Sequence, residues 1–240
     1  MELFETWGLT LIVFLPLAGA LHLGLIPKAS EFALKTVALL ASLGSFVLSL
    51  VLVTRFDFAA STYNSYQFEV NETWIEAINA HYHVGVDGIS LPLLVLSTFV
   101  MVLAVIYSWN HWEEPRNPKA FLILMMILAT GMNGTFVALD LVLFFIFFEV
   151  VLLPMYFMIG IWGDRSMRKI PGFAREVETR IYASIKFFLF TLFGSAFMLL
   201  GFLALYFKSG EVSGVSTFDM VELTKLGAAG AFTGTFALLV

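Results

Sequence analysis

The sequence contains no cysteine. That excludes disulfides, thiolate metal sites, iron–sulfur ligation and a cysteine nucleophile. Charge is scarce too: Asp, Glu, Lys and Arg make up 13% of the 240 residues, against about 25% in soluble domains. Nor is there an excess of basic charge, since 13 Lys and Arg stand against 18 Asp and Glu, a net charge of −5. A nucleic-acid binder would show a basic footprint, so that class is excluded. The chain lacks a phosphate loop, a dinucleotide fingerprint and any catalytic-serine or zinc motif. No 20–50-residue period marks a repeat architecture, and no low-complexity linker divides the chain. The start also lacks the basic segment and small-residue site of a cleaved signal peptide.

Apolar residues dominate instead. They make up 60% of the chain, with 26 phenylalanines and a mean hydropathy of +0.91. Six runs, at residues 9–26, 34–53, 89–107, 120–138, 141–161 and 185–207, approach the ~20 residues that cross a bilayer. A seventh run, 226–240, holds 15 residues and falls short of a crossing. These runs are too long and too uniform for amphipathic core helices. They also lack the alternation of ~10-residue barrel strands. In lipid only a helix satisfies its own backbone groups within the segment. The expected fold is therefore all-α: one polytopic membrane domain of six transmembrane helices plus the start of a seventh.

Basic residues are distributed unevenly between alternate loops. Lys28, Lys35, Arg116, Lys119, Arg165, Arg168, Lys169, Arg175 and Arg180 follow runs one, three and five, whereas Arg55, Lys208 and Lys225 follow the others. By the positive-inside rule, nine against three places the N-terminus outside and the charged 162–184 loop in the cytoplasm. The polar 54–87 stretch is then an outer loop. Its acidic residues Asp57, Glu69, Glu72, Glu76 and Asp87 suit that side.

An ionisable residue deep in a span is expensive and marks function by default. Glu149 is the clear case: ninth of the 21 residues in run 141–161, it is flanked by Phe147, Phe148, Val150 and Val151. Two readings stand: a structural carboxyl bonded to a neighbouring helix, or a proton- or ion-pathway carboxylate, which is favoured. Five residues on, Pro154 removes the N–H that would bond the Val150 carbonyl, so a hydrated kink beside Glu149 is expected. Lys186 sits two residues into run six, where a lysine can snorkel to the interface. Thr191, Ser195 and Met198 form a stripe along the same helix, either a packing seam or the wall of a proton path. The depths of Glu149 and Lys186 argue against a direct pair. Asp140, between runs four and five, reads as a helix cap, with proton exit as the alternative. His81 and His83 flank Tyr82 without the further ligands a metal site needs. His22 and His111 offer no pair for haem. Ala41, Ser45 and Ser49 form a close-contact stripe.

Three segments carry a family resemblance. FFIFFEVVLLPMYFMIGIWG (144–163), YHVGVDGISLPLLVLSTF (82–99) and RIYASIKFFLFTLFGS (180–195) resemble the fifth helix, the entry to the third helix and the sixth helix of subunit M, the antiporter-like membrane subunit of respiratory complex I (NADH-quinone oxidoreductase). The E-x-x-x-x-P-M-Y pattern at Glu149–Tyr156 is more similar to subunit M than to its relatives L and N or to subunits of multisubunit cation/proton antiporters. The resemblance implies about fourteen helices in two inverted repeats, of which this chain would supply the first six and the start of the seventh. It further implies that the carboxylate matching Glu149 pairs with a lysine on the broken seventh helix, a position that Lys225 does not match. The implied activity is proton translocation coupled to electron transfer from NADH to quinone, with Glu149 and Lys186 in the relay and no redox site in this chain. FMN and iron–sulfur clusters would lie in partner subunits, and the partners would be other complex I membrane subunits in a bacterial plasma membrane or inner mitochondrial membrane. The alternative is a subunit of a multisubunit cation/proton antiporter.

Overall fold

The computed structural model describes residues 2–59, 65–111, 116–169 and 176–232. Among the described residues six helices are long and apolar enough to cross a membrane: α1 (Glu2–Leu25), α2 (Glu31–Arg55), α3 (Ser90–Tyr107), α4 (Pro118–Val137), α5 (Leu141–Trp162) and α6 (Thr179–Ser213). A shorter α7 (Met220–Ala228) follows. Pro16 and Pro154 lie inside α1 and α5, and both helices run on through them. The polytopic helical membrane fold is thus in place.

Two elements differ in extent from the apolar runs. The 35 residues of α6 reach about 52 Å at 1.5 Å per residue, well beyond a hydrocarbon core of ~30 Å. Nothing stops the helix until Gly214, whose φ of 81° supplies the left-handed C-terminal turn that glycine favours. A Lys208–Glu211 pair at 2.8 Å lies on this extension. The seventh apolar run begins within α7, which starts six residues earlier because Asp219 caps it, accepting from the Val221 and Glu222 amides. Residues 233–240 of that run lie outside the described residues.

The 54–87 stretch is more ordered than a polar loop implies. It contains an antiparallel hairpin of β1 (Gln67–Ile75) and β2 (Ala80–Val86), with Val70 opposite Val84 and Glu72 opposite Tyr82. Alternating β-branched and aromatic residues suit such strands. The chain reverses through a 3-10 turn and Asn79 at φ 51°, a left-handed conformation that asparagine tolerates. The outer strand β1 is largely exposed, whereas β2 buries Ala80, His83, Val84 and Val86.

Hydrogen bonds sort the loops into two ends. At one end Lys119 Nζ donates to the carbonyls of Gly24 (2.8 Å) and Ile26 (2.7 Å). Arg116 pairs with Glu31 at 2.9 Å, and Phe121 meets Trp162 edge-on at 5.1 Å. The loops rich in basic residues therefore gather here, apart from Arg175, which lies outside the described residues. At the other end the Leu139 amide donates to the His83 carbonyl (2.8 Å), and Leu141 and Met220 bond the carbonyls of Phe218 and Leu139. The hairpin, the α4–α5 turn and the start of α7 thus meet at one point.

Between the ends, small and hydroxyl residues let the helices approach, as expected where lipid offers no hydrophobic drive between helices. Ser45 Oγ donates to the Ile12 carbonyl (3.1 Å), Ser49 bonds Thr98 (3.0 Å), and Ser97 donates to Asn133 (2.8 Å). A Cβ on Gly19 would stand 2.6 Å from that of Ala41. The Ala41, Ser45 and Ser49 stripe is thus a seam between α2 and its neighbours. On α4, Gly131 and Gly134 admit Val151 and Phe147 of α5. This close fit fixes the height and rotation of the helix that carries Glu149.

Candidate functional site

Glu149 lies eight residues into α5, about 12 Å along the axis from its start. The side chain is half-buried. Its Oε1 is buried and has no hydrogen-bond partner among the described residues. The carboxyl opens on a shallow surface cavity of about 380 Å³ lined by Leu124, Ile127, Ile146, Leu153 and Pro154, of which Ile146 and Leu153 are exposed. Glu149 and Pro154 therefore share one cavity. The other walls are apolar, so nothing among them satisfies the carboxyl. Leaving such a group unpaired costs free energy, and the arrangement can hold a proton or receive a cation.

Lys186 is elsewhere. It projects from an exposed face of α6, its Nζ 5.4 Å from the centre of the Tyr182 ring, along a surface groove with Ile185, Leu189 and Phe193. The register of α5 against α6 gives the separation in depth. Tyr156 packs on Phe188 at 5.3 Å and Phe144 on Phe202 at 6.2 Å. Glu149 is thus level with residues 195–197, and Lys186 lies about 15 Å nearer the other end. Buried Ser195 is level with the carboxyl, and its hydroxyl bonds the Leu192 carbonyl of its own helix (3.0 Å). The structure does not bring Glu149 and Lys186 together.

Asp140 is completely buried between α4 and α5. Its Oδ1 accepts from the amides of Val142 (2.8 Å) and Leu143 (3.1 Å), capping α5, and its Oδ2 accepts from the His81 amide (3.1 Å). Burial raises its pKa above the usual carboxylate value, partly offset by these three amides. Asparagine caps helices about as well as aspartate. Asp140→Asn keeps the cap but sets its Nδ2–H2 donor against the His81 amide, which is expected to cost about 1–2 kcal/mol, and Asp140→Ala loses the cap as well, at about 1–2 kcal/mol more. Denaturant titration of both variants in detergent checks the difference. An alanine variant as stable as the asparagine one would show that the cap does not matter.

The sequence reading missed the group beside it. His83 is 1% exposed and places Nδ1 2.8 Å from Asp219 Oδ2 and Nε2 2.8 Å from Glu69 Oε1. Burial by itself would lower its pKa, but the bonds and charges of Asp219 and Glu69 outweigh this and hold it above the ordinary histidine value. Asp219 moves the opposite way: burial is outweighed by its bonds to His83 and to the α7 amides, which lower its pKa. Two signals for this group were in the sequence. One is the period-2 spacing of His81 and His83 in a β-prone run; the other is Asp219 followed three residues later by Glu222, a capping pattern. Tyr82 projects to the opposite face and bonds Thr10 of α1 at 2.9 Å. Among the described residues no three His, Asp or Glu side chains are arranged to hold a metal.

Comparison with known proteins places this arrangement in a family. Residues 11–135 match the model for the NADH-ubiquinone oxidoreductase chain 4 amino terminus. Residues 138–240 match that for the NADH:quinone oxidoreductase/Mrp antiporter transmembrane region. The chain is 38% identical over 221 residues to NADH-ubiquinone oxidoreductase chain 4 of Mycosarcoma maydis, covering 91% of this chain and 41% of that protein. It is 40% identical over 219 residues to NADH-quinone oxidoreductase subunit M of Rhodobacter capsulatus, covering 90% and 38%. The fold matches a chain of respiratory complex I from Thermus thermophilus with TM-score 0.68 at 24% identity, covering 90% of this chain and 39% of that one. The chain thus spans about two fifths of the length of the curated relatives it matches. With the amino-terminal model alone matching just over half of its residues, the chain belongs to the NADH-ubiquinone oxidoreductase chain 4 family.

Proposed function

We propose that this chain is part of a proton-translocating, non-redox membrane subunit of NADH:quinone oxidoreductase, in which Glu149 is the proton-carrying carboxylate. The observation that carries the reading is the Glu149 Oε1 atom, buried in the middle of a span and without a hydrogen-bond partner among the described residues. A structural carboxyl calls for a donor on a neighbouring helix; among the described residues this one has none and opens on a cavity. A cation brought within ~4 Å at an effective dielectric of ~20 favours the ionised form by about 4 kcal/mol. Withdrawing the cation favours the neutral acid, so a moving lysine could load and unload the site. Lys186, about 15 Å away in depth, acts as a separate and more peripheral charge. Pro154 and Asp140 support the site by shaping the cavity and capping the helix. Electron transfer and its cofactors, FMN and iron–sulfur clusters, belong to partner subunits. The charge asymmetry supports an orientation with the hairpin end and the N-terminus outside, in a bacterial plasma membrane or an inner mitochondrial membrane.

The test is the proton-to-electron ratio of the complete complex in sealed vesicles. Glu149→Gln in an assembled complex is expected to lower that ratio while NADH oxidation by the redox subunits persists. An unchanged ratio would overturn the reading. The alternative, a subunit of a cation/proton antiporter, predicts no co-purifying flavin or iron–sulfur subunits.

A further inference from the structure

We infer that Glu69, His83 and Asp219 form a proton-binding latch that ties the outer hairpin to the entry of α7 and releases as the pH on that face rises. The geometry counts the proton. Each ring nitrogen of His83 faces a carboxylate oxygen at 2.8 Å. A neutral imidazole has one N–H and can satisfy one of them, leaving a nitrogen lone pair against the other carboxylate. Both contacts are made only when the group holds one further proton, as an imidazolium between two carboxylates or as a carboxylic acid. The buried end is sealed, with side-chain exposures of 2% for His83 and 9% for Asp219, whereas Glu69 is 45% exposed. Protons therefore enter and leave through Glu69.

The surroundings favour the charged form. Glu69 on β1 and Asp219 at the α7 cap are the direct partners. Asp140 at the α5 cap is a third acidic group nearby, its pKa raised by burial and further by the charge of Asp219. Lys225 on α7 is engaged with Glu222 at 2.7 Å, which limits its opposition. On the α4–α5 turn the contact is the uncharged Leu139 amide. Desolvation disfavours the imidazolium, but two adjacent carboxylates outweigh it.

The latch fastens three elements. Asn79 Nδ2, at the hairpin turn, donates to the Ser216 carbonyl (3.1 Å) in the loop ahead of α7. The His81 amide, two residues from His83, bonds the α5 cap Asp140. Opening the His83 contacts would loosen β2 from the starts of both α7 and α5.

The sign follows from linkage. The closed latch binds a proton that the open one, with His83 near its ordinary pKa of about 6.5, releases. Closure is therefore fully favoured below about pH 6.5 and is lost as pH rises toward the raised value, with opening increasing up to tenfold per pH unit. Hydrogen–deuterium exchange of the full-length protein in its membrane complex, with no NADH supplied and corrected for intrinsic exchange, reads this at residues 80–86. Between pH 6.5 and 8.5 the wild-type protection of that strand is expected to fall by up to tenfold per unit. In His83→Gln, protection is expected to be low and flat with pH. Glu69→Gln alters an exposed side chain and should preserve the fold, but the total loss of protection over the same range should shrink. Flat wild-type protection, or an undiminished pH slope in either variant, would overturn the proposal.

Discussion

Glu149→Leu is expected to make the bundle more stable while, on the proposed function, lowering the proton-to-electron ratio as Glu149→Gln does. The physical case rests on the unpaired oxygen. A carboxyl atom buried without a hydrogen-bond partner costs about 1–3 kcal/mol by the standard of protein substitutions, and the cavity beside it is lined by leucine, isoleucine and proline. Leucine removes the polar group and sets apolar atoms against an apolar wall, so unfolding should become harder by about 1–3 kcal/mol. Glutamine would give a smaller change, because it keeps an unsatisfied polar group there. If Glu149 instead joined helices through a hydrogen bond, leucine would destabilise and glutamine would be nearly silent. Denaturation in mixed micelles separates the two cases by sign. A leucine variant that unfolds more easily than wild type would return Glu149 to a structural role.

The sequence revealed the spans and the exceptional carboxylate for one reason: lipid imposes a composition on every residue that meets it. A charge at Glu149 stands out against Phe147, Phe148, Val150 and Val151 without any knowledge of tertiary contacts. The Asp140 cap could be read for a similar reason, since capping is local to a few residues. The hairpin could not be read so easily. Glu69, Asn71 and Glu72 give its exposed strand the composition of a loop, and only β2 buries a face. The His83 group was hidden further, because its partners lie 14 and 136 residues away in sequence. No spacing rule reaches across that distance; the antiparallel turn and the meeting of three loops create the site. The reach of α6 was missed because apolar runs mark where lipid ends, whereas a helix ends at a stop such as Gly214.

The α4–α5 contact should tolerate substitution least. A Cβ on Gly134 would overlap the edge of the Phe147 ring, and one on Gly131 would stand 2.7 Å from Val151 Cγ2. Gly134→Val must therefore displace Phe147, which is 5% exposed and packed at 6.0 Å from Phe14 of α1. The ring also lines a cavity of about 620 Å³ with Phe14, Ile127 and Ile146, into which it can turn only by giving up this packing. Overpacking of this kind costs about 1–3 kcal/mol and occasionally more, with a smaller opposing gain from replacing a helical glycine. Phe147→Ala in the wild-type background leaves a cavity and costs about 3–5 kcal/mol. Combined, the two changes compensate: valine occupies part of the space the ring has left. A double-mutant cycle should therefore show coupling of about 1–3 kcal/mol toward stability, within the range for residues in contact. Additive costs would mean that the helices simply separate around the valine. The cycle bears on the proposed proton site as well, because Phe147 is two residues from Glu149 on the same helix. A ring that pushes α5 away from α4 changes the cavity at the carboxyl. Gly134→Val should accordingly lower the proton-to-electron ratio even in complexes that assemble, and the second substitution should restore part of it.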